Sequence, residues 1–181
     1  LFIEQNSIYK SLPCDPWDSQ RDARNWPGGT PFIAHPPCRL WCRLRTFSTA
    51  PADEKILAPM AITWAREYGG IVEHPAGSQL FKFMSLPTGR NRDQFGGWTL
   101  HLAQREFGHL ANKETYLYIV GIDPRNVMVP LTLKPAERVI ETRKSHNRLP
   151  RLPKSQRNKT PEAFARWLIE LATHILPRPI Q

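Results

Sequence analysis

"PFIAHPPCRLWCRLR" (31–45) is the stretch that decides the fold: the apolar run Phe32 to Ala34 stops at His35, a stiff Pro-Pro pair and Cys38, and Arg39, Arg43 and Arg45 follow. A short apolar, β-prone run bounded by proline reads as a buried strand. Working outward, "LFIE" (1–4) and "IVEHP" (71–75) have the same character. Between 53 and 68, Ile56, Leu57, Met60, Ala61, Trp64, Ala65 and Tyr68 recur at three and four, which predicts a helix with one inner apolar face. Pro51 suits its first turn, "GG" closes it, and Pro59 is expected to kink it. The result is a strand-helix-strand unit.

Beyond a Gly- and charge-containing loop over 85–97, "WTLHLAQ" (98–104) alternates and "TYLYIVG" (115–121) is strongly β-prone, so these two are expected to pair. "TPEAFARWLIELATHIL" (160–176) predicts a closing helix capped by Thr160, with Pro161 in its first turn and Phe164, Trp167, Leu168, Leu171 and Ile175 as the apolar stripe. Strands alternating with helices predict an α/β layered domain with a mostly parallel sheet, and 181 residues suit a single domain over 1–181.

Charge is distributed unevenly. Of the formal +9, a net +7 falls between Arg138 and Lys159, where Arg138, Arg143, Lys144, Arg148, Arg151, Lys154, Arg157 and Lys159 face one acid, Glu141. With Pro150 and Pro153 inside it, this tract reads as an extended, solvated arm over about 138–159. A polyanion, most simply a nucleic-acid backbone, is its natural partner; a merely solubilising loop is the plainer reading. Three cysteines without framework spacing point to a reducing, cytoplasmic setting. No apolar run approaches the roughly 20 residues of a bilayer span, and no secretory signal is visible, so no membrane partner is expected.

Ligands of open α/β sheets bind outside the carboxyl ends of strands, which draws attention to Glu4, to His35 through Cys38, and to Glu73 through Pro75. Arg39, Arg43 and Arg45 beside Cys38 are expected to favour its thiolate, the nucleophilic form. "HPPCRLWC" read as metal ligands has Cys38 and Cys42 separated by three residues and no His-x-Glu partner, unlike the zinc deaminases, so no metal is expected. Trp26, Trp41 and Trp98 could stack on bases, with "GGW" (96–98) the exposed candidate; Trp64 and Trp167 lie on inner helix faces.

These residues resemble a known family. "AHPPC" looks like the Pro-Cys loop of the DNA cytosine-C5 methyltransferases, and "IVEHP" resembles their Glu-Asn-Val strand. "FGHLANKETYLYIVG" is similar to the segment in which a Gly turn leads to Gln-x-Arg-x-Arg on a strand, "LFIEQN" to the second strand, and "SQRNKTPEAFARWLIELA" to the closing motif and helix. Order and separations agree, with 35 residues from Cys38 to Glu73 and 40 from Glu73 to Lys113.

The resemblance implies a reduced, phage- or prophage-type, truncated methyltransferase-like (Rossmann-type) domain that modifies a pyrimidine in DNA. Cys38 would add to C6 of the base and Glu73 would act as ring acid, with Lys113 and Thr115 as donors. Attack at C6 places negative charge on the ring, so a thiolate needs an acid at N3 and fixed donors, and a base in a duplex must first be flipped out. Glu4 and Asn6 would meet the methyl donor S-adenosylmethionine, and Arg39, Arg43, Arg45, Trp98, Arg143, Lys144, Arg148, Arg151, Lys154 and Arg157 would hold the nucleic acid. The chain departs from the family in lacking the Phe-x-Gly-x-Gly cofactor loop and in carrying His74, Lys113 and Thr115 where Asn and two Arg are expected. The donor therefore stays open, as does a partner chain completing its pocket. A non-catalytic nucleic-acid-binding protein on a degenerate methyltransferase fold, protecting or delivering phage DNA, is the competing expectation.

Overall fold

The computed structural model describes residues 1–140 and 149–176. Four strands, β1 (Phe32–Ala34), β2 (Gly70–Pro75), β3 (Trp98–Ala103) and β4 (Glu114–Val120), form an open sheet in the order β1-β2-β4-β3. The helices are α1 (Leu57–Tyr68), α2 (Leu80–Phe83), α3 (Lys154–Arg157) and α4 (Glu162–Thr173). β1 and β2 pair in parallel across the α1 connection, whereas β4 is antiparallel to both β2 and β3.

The mostly parallel sheet expected from the sequence is therefore corrected to a mixed one, with one parallel and two antiparallel ladders. Its cause is local. Only residues 104–113 separate β3 from β4, fewer than a parallel crossover of a dozen or more residues requires, so the chain reverses. β4 carries the longest apolar run of the four strands, Tyr116 to Val120, and with Leu117 to Val120 inaccessible to solvent it takes a central position.

Period-two alternation sends side chains to two covered faces. Ala34, Val72, Tyr118 and Val120 pack against Ala58, Ala61, Ile62 and Ala65 of α1. On the other face, Ile71, Trp98, Leu117 and Ile119 pack against Phe164, Leu168 and Leu171 of α4 and Ile175 beyond it. The small residues of α1 let it lie close to the sheet. A third cluster, Ile3, Tyr9, Leu12 and Ala165, fastens the N-terminal segment to α4.

Several local expectations change. "LFIE" is not a full strand: Ile3 makes one isolated bridge to Asp18, and the Leu1 carbonyl accepts from the His35 amide at 3.1 Å. The first part of the predicted 53–68 helix is a 3-10 turn, Ala52–Ile56, so Pro59 falls in the first turn of α1, where its missing N–H costs no hydrogen bond and no kink is needed. Pro161, not Thr160, occupies the N-cap of α4, with ψ 140 and no side-chain cap. The described residues of the arm are held at several points. Arg138 bridges to Ala111 and Val139 to Arg151, Leu152 is buried, and Lys154–Arg157 is the short helix α3. Arg143, Lys144 and Arg148 lie outside the described residues. No helix among those described is long and apolar enough to cross a membrane.

Gly69 ends α1 with φ 80 and ψ 149, a conformation nearly restricted to glycine, and a Cβ there would stand 2.8 Å from Ile175 Cγ2. Gly69→Ala is expected to lower the unfolding free energy by about 1–3 kcal/mol in urea titrations. Gly77→Ala, with ordinary backbone angles and open space, is expected to be close to neutral.

Candidate functional site

β1, β2 and β3 end, and β4 begins, along one edge of the sheet, since Pro75 pairs with Thr115 and Ala103 with Glu114. That edge gathers His35 to Cys38, Glu73, Gln104, Lys113 and Thr115. One step past the Ala34–Val72 pair, the β1–β2 register sets His35 beside Glu73. Beside this edge opens a cleft of about 1030 Å³, whose wall includes Glu4, Asn6, Tyr9, His35, Cys38, Glu73 and Lys113. Such a volume accommodates a nucleotide-sized ligand.

Glu73 is buried, with donors at both carboxylate oxygens. Its Oε1 accepts from Gln104 Nε2 at 2.8 Å and from Thr115 Oγ1 at 3.3 Å, and its Oε2 lies 3.4 Å from His35 Nδ1. Burial pushes the carboxyl up, but His35 and the charge of Lys113 outweigh it and hold it at about 2. At neutral pH Glu73 is therefore a carboxylate. Gln104 Nε2 also donates to Thr115 Oγ1 at 3.0 Å, so the three side chains brace one another.

His35 connects this group to Tyr9, whose hydroxyl is 2.9 Å from His35 Nε2. Burial, reinforced by the charges of Glu73 and Cys14, pushes the Tyr9 phenol up, so it stays protonated.

Cys38 is half-buried, held by the buried Pro36 and by Pro37. Its carbonyl accepts from the Trp41 amide at 2.9 Å and the Cys42 amide at 3.0 Å, a turn that brings the two thiols together. The hydrogen bond from Cys42 lowers the Cys38 thiol; burial and the charge of Glu73 oppose this, and Lys113 assists. The same pairing pushes Cys42 well up, leaving it the protonated donor. The expected role of the arginines is carried by Arg39, whose guanidinium and the Cys38 thiolate attract each other. Arg39 is ion-paired with Glu54, Arg43 is exposed, and the Arg45 guanidinium lies 3.2 Å from the Gln79 side-chain amide.

Other expected site residues are redistributed. Thr115 is fully buried and braces Glu73 rather than facing the cleft. Trp98 is also fully buried, donating to the Ile122 carbonyl at 2.9 Å, because its register opposite Ile119 turns it into the α4 core; it is not a base-stacking surface. Trp41 is buried and Trp26 packs on Phe32 and Trp64. Glu4 and Asn6 are exposed on the cleft wall, Arg151 is exposed, Arg157 donates to the Leu152 carbonyl, and Lys154 belongs to α3. Among the described residues no cluster of His, Cys, Asp and Glu is arranged to hold a metal ion.

Tyr9, Gln104 and the second cysteine, Cys42, were not singled out by sequence. Gln104 is the first residue after β3, and the strand-end rule would have found it once β3 was aligned with β1 and β2. Tyr9 carries no such signal.

Comparison with protein families, curated proteins and solved structures finds no match in any of the three.

His74 shares β2 with Glu73 but turns to the α1 face, fully buried, with neither ring nitrogen well hydrogen-bonded. Burial pushes it down to about 4, against an ordinary value near 6.5. The neutral imidazole is thus the folded form, and stability is full above pH 6.5 and falls as pH drops toward 4. His74→Met is expected to remove that part of the acid slope, on the order of 3 kcal/mol, measured as urea midpoints from pH 7 to 4.

Proposed function

We propose that this protein attacks C6 of a pyrimidine base in DNA through Cys38, with Glu73 serving the ring nitrogen, in the manner of the DNA cytosine-C5 methyltransferases it resembles. One observation carries the reading: a cysteine whose thiolate is favoured and a buried carboxylate held by three donors line the same cleft at the same sheet edge. Formation of the Sγ–C6 bond shifts the C5–C6 π electrons through the ring to N3, which takes up a proton; C5 becomes nucleophilic. Lys113, on the cleft wall and within electrostatic reach of both partners, stabilises the charge that develops on the ring.

A reduced methyltransferase-like domain agrees with a sheet in which β1, β2 and β3 share one direction around a reversed β4. S-adenosylmethionine is the methyl donor this reading suggests, against Glu4 and Asn6; a partner chain could complete that pocket. Arg39, Arg43, Arg45 and the tract with Arg151 and Arg157 provide positive charge for the strand.

The test needs no donor, because reversible attack at C6 lets C5 exchange hydrogen with solvent. Single- and double-stranded oligonucleotides of mixed sequence, incubated in D2O, are expected to gain deuterium at C5 of cytosine with the native chain and not with Cys38→Ala. Native protein that exchanges nothing and forms no adduct with 5-fluorocytosine DNA, while still binding DNA, would establish the non-catalytic alternative. Arg43→Gln and Arg151→Gln together are expected to reduce the slope of log affinity against log salt by about 2.

A further inference from the structure

We infer that His35 is the proton reservoir for Glu73: the imidazolium of His35, held between Tyr9 and Glu73, supplies through the carboxylate the proton that the ring nitrogen takes when Cys38 attacks. The inference rests on the covalent reading above and names the residue which that reading lacks.

A carboxylate cannot protonate a base until it has acquired a proton itself. Glu73 is bound by donors on both oxygens, Gln104 and Thr115 on Oε1 and His35 on Oε2, and all of them favour its ionised form. Gln104 and Thr115 donate protons they do not give up; of the three, only an imidazole has a protonated form that can pass one on. His35 is also the donor nearest the cleft, whose wall it lines, and its side chain keeps 14% of its accessible surface.

Tyr9 defines what His35 can do. When the ring is neutral, a Tyr9 hydroxyl that donates to Nε2 leaves the single ring hydrogen on Nδ1, facing Glu73. Loss of that hydrogen from a neutral ring would create an imidazolate, or a tyrosinate in a buried site, and neither forms. The cationic ring has no such obstacle: both nitrogens donate, Tyr9 accepts at Nε2, and the Nδ1 hydrogen passes to Glu73.

The step balances as follows. The Cys38 thiolate contributes the electron pair of the new Sγ–C6 bond, the displaced π pair reaches N3, Glu73 Oε2 delivers a proton there, and His35 Nδ1 replaces it. Imidazolium and thiolate are consumed as neutral imidazole and thioether form, with no net change in charge. The charged and titratable groups around the relay are Tyr9 on the 3-10 turn Ile8–Ser11, Glu73 and His74 on β2, Cys38 and Cys42 beyond β1, Lys113 ahead of β4 and, beside Tyr9, Cys14.

The test is the C5 hydrogen exchange of cytosine in the same oligonucleotides, followed against pH. His35→Asn keeps a donor toward Glu73 but cannot become cationic. It is expected to exchange at least 100-fold more slowly than the native chain, with the fall in rate on the alkaline side abolished, and His35→Ala is expected to be partly restored by added imidazole. Tyr9→Phe leaves the acceptor on Nε2 unfixed and is expected to move the alkaline limb while retaining most of the maximal rate. Circular dichroism and urea midpoints identify any variant that fails to fold, and His35→Gln then replaces it. If the native chain exchanges and His35→Asn keeps both its rate and its pH profile, the reservoir role is overturned while covalent attack stands. If the native chain exchanges nothing, covalent attack fails, and the reservoir role with it.

Discussion

A buried carboxylate is expensive unless every lone pair finds a donor, and the sheet edge of this protein is organised around meeting that requirement for Glu73. Gln104 comes from the end of β3, Thr115 from the start of β4 and His35 from the end of β1, so three neighbouring elements each commit a polar side chain to one residue of β2. Removing a single partner would leave a buried charge with fewer donors. The mixed sheet is what makes the convergence possible. Because β4 is reversed, its first residues, not its last, meet the carboxyl ends of its neighbours, and Lys113 and Thr115 arrive at the edge where Glu73 waits.

Much of this was legible in the sequence because it is encoded locally. The apolar runs at Phe32–Ala34, Gly70–Pro75, Trp98–Ala103 and Glu114–Val120 become strands, and the periodic stripes become α1 and α4. The pairing of β3 with β4 follows from alternation and a short connection. What local pattern cannot carry is the insertion of β4 between β2 and β3, which is settled by competition among strands for the buried centre. Trp98 shows the same limit: flanking glycines suggest exposure, yet one step of register decides between solvent and the α4 core.

At the candidate site, the sequence pointed to Cys38 and Glu73 through the strand-end rule and the resemblance, and both line the cleft. Help for the thiolate comes from more neighbours than the sequence named: Arg39 attracts its charge, and Cys42 and Lys113 add to it. Three arginines close in sequence are turned to Glu54, to Gln79 or to solvent, whereas Cys42, one turn along, supplies the hydrogen bond. Proximity along the chain says how far a charge could reach; the backbone turn at Cys38 says where it goes. Tyr9 was beyond any local pattern, since its partner His35 lies 26 residues away.

The cluster of Ile3, Tyr9, Leu12 and Ala165 has an implication for biosynthesis. Tyr9 leaves the ribosome before any of the four strands, whereas α4, whose surface seats it, emerges after all of them. The sheet can assemble once β4 has emerged, whereas the wall of the cleft that carries Tyr9 must wait for α4. Nascent chains thus hold a partly built sheet edge with an unfinished wall, and the cleft is completed only when α4 has emerged.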